Sequence, residues 1–464
     1  MKNIKYYINF KFLIFIHILK LFEIYSSSYS DSLEIVAEFK IIKFNIDSKI
    51  EECEKCMPAG IKLSKNGTIF CSFPRWFDEV KVTFAKYNKE NNYFEPWPSL
   101  EMNERYQSNS SGINSVLGFE IDDDDNLYIL DQGKIAGKAA LEGAIKLLKY
   151  SLTDGSLKET YIFDSEIADP ENSFLNDIVI DKKKKLAYIS DSGKGNNNKF
   201  KPGIIVLDLD KKDNLVIAHR ILTNHYSVYP DESFWLHIDK KPINETNSNE
   251  PMLTGADGIA LSCNGDTLFY CPLTGRMIYS VLTSDIQKAI KNNKTDNITV
   301  YQGFKKEASD GLLASSKGNL YMTGIETGSI YISNEIEQDL LRFDFKEFES
   351  FDGNISTMWP DTLAIHDGYL YFVTNQLNNF PNNINYTHPL NGKYNFAILR
   401  FSIGNDESYI KGCSGFSNDW GVGSIIIWLC FGVIILIVLS FVLMGSNNQE
   451  EVIDKHMNLG IKED

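Results

Sequence analysis

An all-β fold, a six-bladed β-propeller followed by one C-terminal transmembrane helix, is predicted by three features of the 464-residue sequence. One hairpin pattern recurs six times along the chain. An apolar segment stands near each end, and helical pieces between them are few.

At the N-terminus Lys2, Lys5 and Lys11 precede an apolar run from Phe12 to Leu19, followed by small polar residues from Ser26 to Ser30. Charge, short apolar core and small residues in that order predict a signal peptide over residues 1–30, cleaved near Ser28 to Ser30. An uncleaved anchor is the alternative, since Lys20 extends the cationic flank. The run itself is shorter than the roughly 20 residues a bilayer needs.

The repeats fill the next segment. They begin at Ala59-Gly60-Ile61, Leu117-Gly118-Phe119, Asn176-Asp177-Ile178, Asp257-Gly258-Ile259, Asp310-Gly311-Leu312 and Asp361-Thr362-Leu363. Aligned on the central residue, they are 58, 59, 81, 53 and 51 residues apart. Each continues as alternating apolar residues, a polar turn and an apolar-aromatic strand, which is a hairpin grammar. A four-stranded unit repeating every 40–50 residues or so marks a propeller, whose ring of blades leaves only short protected edges. The longest interval holds an aromatic-rich insertion around His219 to Met252, a lid over the channel or a decoration. Leu33 to Phe44 reads as a strand that completes the last blade. Helices are expected only at 141–150, where a strand is the alternative, and at 284–292. The propeller thus spans 31–412.

A short linker, 413–423, leads to Ser424–Met444, which carries no charged residue and is long enough to cross a bilayer as one helix. An all-round apolar surface disfavours a buried core helix, and the polar tail 445–464 disfavours a removable lipid-anchor signal. A single-pass type I protein is expected, on a cell-surface or endomembrane, with the tail cytoplasmic and the propeller outside the cytosol.

Charge and cysteines agree. The net charge of −16 excludes a basic nucleic-acid footprint. Outside the apolar helix, which contains Cys430, lie Cys53, Cys56, Cys71, Cys263, Cys271 and Cys413, an even set suited to disulfides. Cys263–Cys271 is the favoured pair because both flank one expected hairpin. The Cys53–Cys56 spacing also admits zinc or redox chemistry. Sequons start at Asn66, Asn109, Asn244, Asn293, Asn297, Asn354 and Asn385, consistent with a glycoprotein.

Inner strands line a propeller's channel, so the repeats gather Asn176, Asp177, Asp257, Asp310 and Asp361 at one mouth. Clustered carboxylates repel and hold their protons unless a cation intervenes. A ligand ammonium would relieve them, as would a divalent ion such as calcium held by Asn176, Asp257 and Asp310. The plainer alternative is that Asp-Gly and Asn-Asp simply shape turns. Trp359, Phe234 and Trp235 are candidates for a cation–π wall. There is no Gly-x-Ser-x-Gly elbow, His-Glu-x-x-His or phosphate loop.

Several pieces, in order, resemble the yellow/major royal jelly protein family. They are Phe73-Pro74-Arg75-Trp76, Pro96-Trp97-Pro98-Ser99, Leu130-Asp131-Gln132-Gly133, Asn176-Asp177-Ile178-Val179-Ile180-Asp181, Gly255-Ala256-Asp257-Gly258-Ile259 and Trp359-Pro360-Asp361-Thr362-Leu363. The resemblance implies a six-bladed propeller with a central ligand channel; some relatives bind biogenic amines, and others are associated with dopachrome conversion. The related gluconolactonase/regucalcin-like lactonases take a calcium ligand from a first-blade Glu, where this chain has Pro58-Ala59-Gly60. The expected function is capture of a small cationic or aromatic ligand at an acidic channel. A tautomerase-like or metal-dependent lactonase activity is the first alternative, and a protein–protein interaction module the second.

Overall fold

The computed structural model describes residues 33–105, 112–193, 201–212, 215–238, 240–245, 248–334, 340–343, 359–379 and 394–404. The expected signal peptide, linker, 424–444 helix and tail lie outside them. Among the described residues no helix is long and apolar enough to cross a membrane.

Six antiparallel blades follow one another in chain order. Blade 1 is Ile61–Leu63, Ile69–Ser72, Phe84–Asn88 and Tyr93–Pro96, extended by the hairpin Ile42–Ile46/Lys49–Cys53. Blade 2 is Val116–Ile121, Asn126–Asp131, Lys146–Ser151 and Leu157–Ile162; blade 3 is Leu175–Asp181, Leu186–Asp191, Gly203–Lys212 and Leu215–Ile221. Blade 4 comprises Ala256–Leu261, Thr267–Pro272, Met277–Leu282 and Val300–Lys305, and blade 5 comprises Leu312–Ala314, Asn319–Gly324, Ser329–Asn334 and Leu340–Phe343. Blade 6 joins Pro360–His366, Tyr369–Thr374 and Phe396–Ser402 to Glu34–Phe39 from the other end of the chain. The expected closure by both chain ends therefore holds. Pairing Glu34 with Arg400 and Phe39 with Phe396 ties the ring shut.

The blades stay together because each sheet is apolar on both faces. In blade 2, Leu127 and Ile129 face blade 1 while Tyr128 and Leu130 face blade 3. Alternation of side chains thus serves two seams at once, and Leu-Tyr-Ile-Leu reads as an unbroken apolar run. A separate buried cluster fills every seam around the ring.

The repeat glycines answer a packing demand. A Cβ on Gly258 would stand 2.7 Å from the Asp310 carbonyl oxygen of the next blade, and one on Gly311 would strike the Asp361 carbonyl. Inner strands therefore approach backbone to backbone, which a side chain would forbid. Asp257 and Asp361 lie inside strands and are not turn residues, whereas Asp310 sits at a bend just before Leu312–Ala314. Pairing shifts register at this point in blades 2, 3, 4 and 6, a bulge that re-aims side chains toward the channel.

Three expectations need correction. Residues 141–150 form no helix; Lys146–Ser151 is a strand, because Leu147 and Leu148 feed opposite seams. The helix expected at 284–292 is present as Thr283–Lys291. The Cys263–Cys271 pair does not form: Cys271 is a buried free thiol in the seam between blades 4 and 5, whereas Cys263 is disulfide-bonded elsewhere. Cys53 and Cys56 are joined to each other, which leaves no thiol pair there for zinc.

Candidate functional site

The inner strands deliver Leu117, Asn176, Asp257, Asp310 and Asp361 to the floor of one cavity of about 920 Å³. Below it a void of about 10 Å³ runs between Asn176, Asp177, Asp257, Asp310 and Asp361, room for roughly one water-sized particle. All five channel residues expected from the repeats therefore meet at one throat. Two residues further along the inner strands of blades 1 and 2, Lys62 and Glu120 form a buried ion pair of 3.2 Å.

The throat carboxylates differ in what satisfies them. Asp361 accepts from Asn375 Nδ2 at 2.7 Å and Thr362 Oγ1 at 3.2 Å. Asp310 accepts from Trp359 Nε1 at 2.6 Å and also from Asp257. Asp177 receives its own neighbour's Ile178 N–H at 2.9 Å. Asp257 Oδ2, buried, has no hydrogen-bond partner. Such a group loses its hydration without compensation, so it holds its proton or waits for a donor.

Proton affinities follow from this arrangement. Burial pushes Asp257 and Asp361 well above the ordinary carboxylate range, and neighbouring Asp310 pushes both further. Burial raises Asp177 to about 7 against the pull of the Lys62 ammonium. Asp310 rises only to about 6, because the Trp359 and Asp257 donors favour its charged form. Lys306 lies beside Asp257 and Asp310, and burial pulls its ammonium below the ordinary lysine range. Its ammonium donates to the carbonyls of Pro272, Gly275 and Glu307 at 3.2, 2.9 and 3.0 Å.

The insertion between blades 3 and 4 makes the cavity's wall. Phe234, Leu236, Ile238 and Ile243 pack with Leu273, Ala308, Ile325 and Trp359 in one buried cluster. That anchorage holds Asn244 and Thr254 against the cavity. The expected cation–π wall is not built. Trp359 and Phe234 belong to this cluster and Trp235 is 40% exposed; none of the three lines the cavity. Among the insertion's aromatics, Phe234 packs in the cluster that fixes it to blades 4 and 5.

Sequence reasoning missed Lys306, Thr254, Asn244 and the donor role of Trp359. Thr254 stands just before the Gly255-Ala256-Asp257 motif, so adjacency was its signal; Lys306 carries none. Arg75 lines the cavity but is no ligand group. Its guanidinium donates to the carbonyls of Val80, Ile113, Asn114, Lys81 and Asn103, which locks the loop after blade 1's second strand.

For a metal, Asn176, Asp257 and Asp310 offer one amide and two carboxylates. Among the described residues no three His, Cys, Asp or Glu side chains converge to hold an ion. Asp257 Oδ2, the carboxyl oxygen here without a partner, can take a donor-bearing ligand as well as an ion.

No curated protein matches the chain in sequence. Similar solved structures include a gluconolactonase from Xanthomonas campestris, 10% identical, covering 75% of this chain and 86% of that one with a TM-score of 0.43. The calcium-binding protein regucalcin from Agrobacterium tumefaciens is 10% identical, covering 77% and 96% with a TM-score of 0.43. A luciferin-regenerating enzyme is 11% identical, covering 82% and 98% with a TM-score of 0.44. The family model for Major royal jelly protein matches residues 114–408, from the start of blade 2 through blade 6 and over half of the sequence. The chain belongs to the major royal jelly protein family.

Proposed function

We propose that this propeller binds a small organic cation, an amine of aromatic-ring size, with its ammonium group seated among Asp257, Asp310 and Asp361. The observation that carries the reading is Asp257 Oδ2, a buried acceptor without a partner at the floor of a cavity of about 920 Å³. An ammonium supplies the missing donor and the missing positive charge together. The cavity is of the size that encloses a small ligand.

Binding an ammonium favours the ionised carboxylates, so it releases protons. Affinity then rises with pH while Asp310 and Asp177 lose theirs, near 6 and 7. Isothermal calorimetry on the full-length chain in non-ionic detergent, with benzylamine as probe, tests this, with calcium and chelator as separate arms. Micromolar to millimolar binding that weakens at least about tenfold between pH 7.5 and pH 5.5 is expected. Absence of amine binding at both pH values sinks the reading. A calcium-dependent stabilisation with no amine response replaces it with the metal reading.

A second reading draws on Asp177 alone. A carboxyl that titrates at about 7 suits general acid–base transfer at neutral pH, as a tautomerase needs. It predicts turnover of an enolisable aromatic substrate that Asp177→Asn abolishes without abolishing binding. We further propose that the 424–444 segment tethers the propeller to a membrane of the secretory pathway. Protease protection of the propeller in sealed microsomes checks that orientation, and its digestion there defeats it.

A further inference from the structure

Blade 1 carries chemistry that the channel does not use. Its outer hairpin ends in Cys53, which is joined to Cys56 only three positions on. A ring this small removes little freedom from the unfolded chain, so chain entropy gives the bond only a modest stabilising role. The two sulfurs are also unequally placed. Cys56 is fully buried with Met57 and Phe73, whereas Cys53 is partly exposed at the rim of that cluster.

The strand leading to Cys53 is open on one side. Lys49–Cys53 is the last strand of its six-stranded sheet and, among the described residues, pairs with Ile42–Ile46 alone. Ile50 on this strand is 52% exposed. The strand's carboxylates are already neutralised: Glu51 pairs with Lys81 at 2.6 Å and Glu52 with Lys43 at 3.2 Å. Lys55, between the two cysteines, holds its ammonium over the Phe77 ring at 5.2 Å, and Phe77 borders the cluster that contains Cys56. A cation in that loop favours thiolate, the attacking and leaving form in disulfide exchange. The free edge offers backbone donors and acceptors to an extended chain.

We propose that the Cys53–Cys56 disulfide is a thiol–disulfide exchange site that oxidises a dithiol peptide held along the free edge of Lys49–Cys53. A peptide thiolate attacks Cys53 Sγ, the sulfur in reach; the disulfide breaks, and Cys56 leaves as a thiolate that takes up a proton. The second peptide thiolate then attacks the peptide's own sulfur in the mixed disulfide and releases Cys53. The peptide loses two electrons, and the protein disulfide becomes two thiols. A monothiol stops at the first step, where Cys56 attacks back and expels it, so two thiols in one chain are required. This activity is independent of the amine reading and of the channel.

The test incubates the full-length chain in non-ionic detergent with a reduced Cys-Gly-Gly-Cys peptide flanked by valines. Free thiols are then blocked with N-ethylmaleimide and mapped by mass spectrometry. Cys53 and Cys56 should open at least about tenfold faster than the disulfide of Cys263, which is also partly exposed, with one peptide oxidised for each bond opened. Methylating the peptide's backbone nitrogens keeps its thiols but removes its edge hydrogen bonds, and should slow the reaction about fivefold or more. Offered the oxidised peptide, Cys56→Ser should hold it as a lasting mixed disulfide on Cys53, while Cys53→Ser, with only the buried thiol, should not. Thermal unfolding reports whether both variants are folded, and the comparison within the parent chain stands without them. Opening no faster than at Cys263, or a rate indifferent to backbone methylation, overturns the inference.

Discussion

Two sets of aspartates in this ring are provided for differently. Asp131 and Asp191 close the second strands of blades 2 and 3 and are fully buried. Asp131 accepts from the N–H groups of Asn114, Ser115 and Gly133 at 2.8, 2.9 and 2.9 Å and pairs with Lys146 at 2.9 Å. Asp191 accepts from Phe174 and Gly193 at 2.7 and 2.9 Å and pairs with Arg220 at 2.6 Å. Asp177, Asp257, Asp310 and Asp361 face one another instead, with one to two donors each or none. The first set is structural and the second is the proposed site, and the distinction lies in their partners, since Asp257, Asp310 and Asp361 are buried as well.

Removing a member of the first set should cost most. Asp131→Ala leaves the Lys146 ammonium buried without its counter-charge and three backbone N–H groups without acceptors. A loss of about 3–5 kcal/mol is expected, read by urea unfolding. A loss below about 1 kcal/mol would erase the contrast between the two sets.

Removing a charge from the second set should do the opposite, and only where that charge is forced on the fold. Asp177 has its folded-state value at about 7, above its ordinary 3.8. Below about pH 3 it is protonated in both folded and unfolded chains and contributes nothing. Between there and pH 7 the unfolded chain gives up the proton first, so stability falls as pH rises. Asp177→Asn removes that penalty. Its advantage over the parent should be near zero at about pH 3 and grow to about 4 kcal/mol by about pH 7.5. A difference that does not change with pH would show that the effect is packing alone.

Asp257→Asn separates stability from binding. The amide can neither hold a negative charge nor repel Asp310, so unfolding should change by about 1 kcal/mol or less, in the stabilising direction. Benzylamine affinity should drop at least about tenfold, because the ammonium loses a charge-assisted acceptor. Unchanged affinity would remove Asp257 from the site.

The contrast also sets what was legible in the sequence. The ring was: the six hairpins, the closing strand at Glu34–Phe39 and the gathering of Asp257, Asp310 and Asp361 all follow from period and order. The reason for the glycines was not, because close approach between blades depends on the partner backbone and leaves no local trace. The Cys263–Cys271 expectation failed for a similar cause. Positions that flank one hairpin point into different seams when both faces are buried, and Cys271 faces blade 5. One partner that separates the two sets, the indole donor to Asp310, lies far along the chain. Trp359 reaches Asp310 across 49 residues, and no spacing rule announces that pair.

That last pair gives the smallest and most discriminating effect. Trp359 is fully buried and takes a left-handed backbone at φ +50°, uncommon for a bulky residue, with its Nε1 directed onto Asp310 Oδ2. The donor favours the ionised carboxylate, so removing it raises the pH at which Asp310 gives up its proton. Trp359→Phe should therefore weaken amine binding about three- to tenfold near pH 6, where the parent's Asp310 is half ionised, and much less near pH 8, where Asp310 ionises in both. The corresponding calorimetric signature is proton release on binding that shifts to higher pH. A purely structural role for the indole would lower affinity equally at both pH values, since lost packing takes no account of protons.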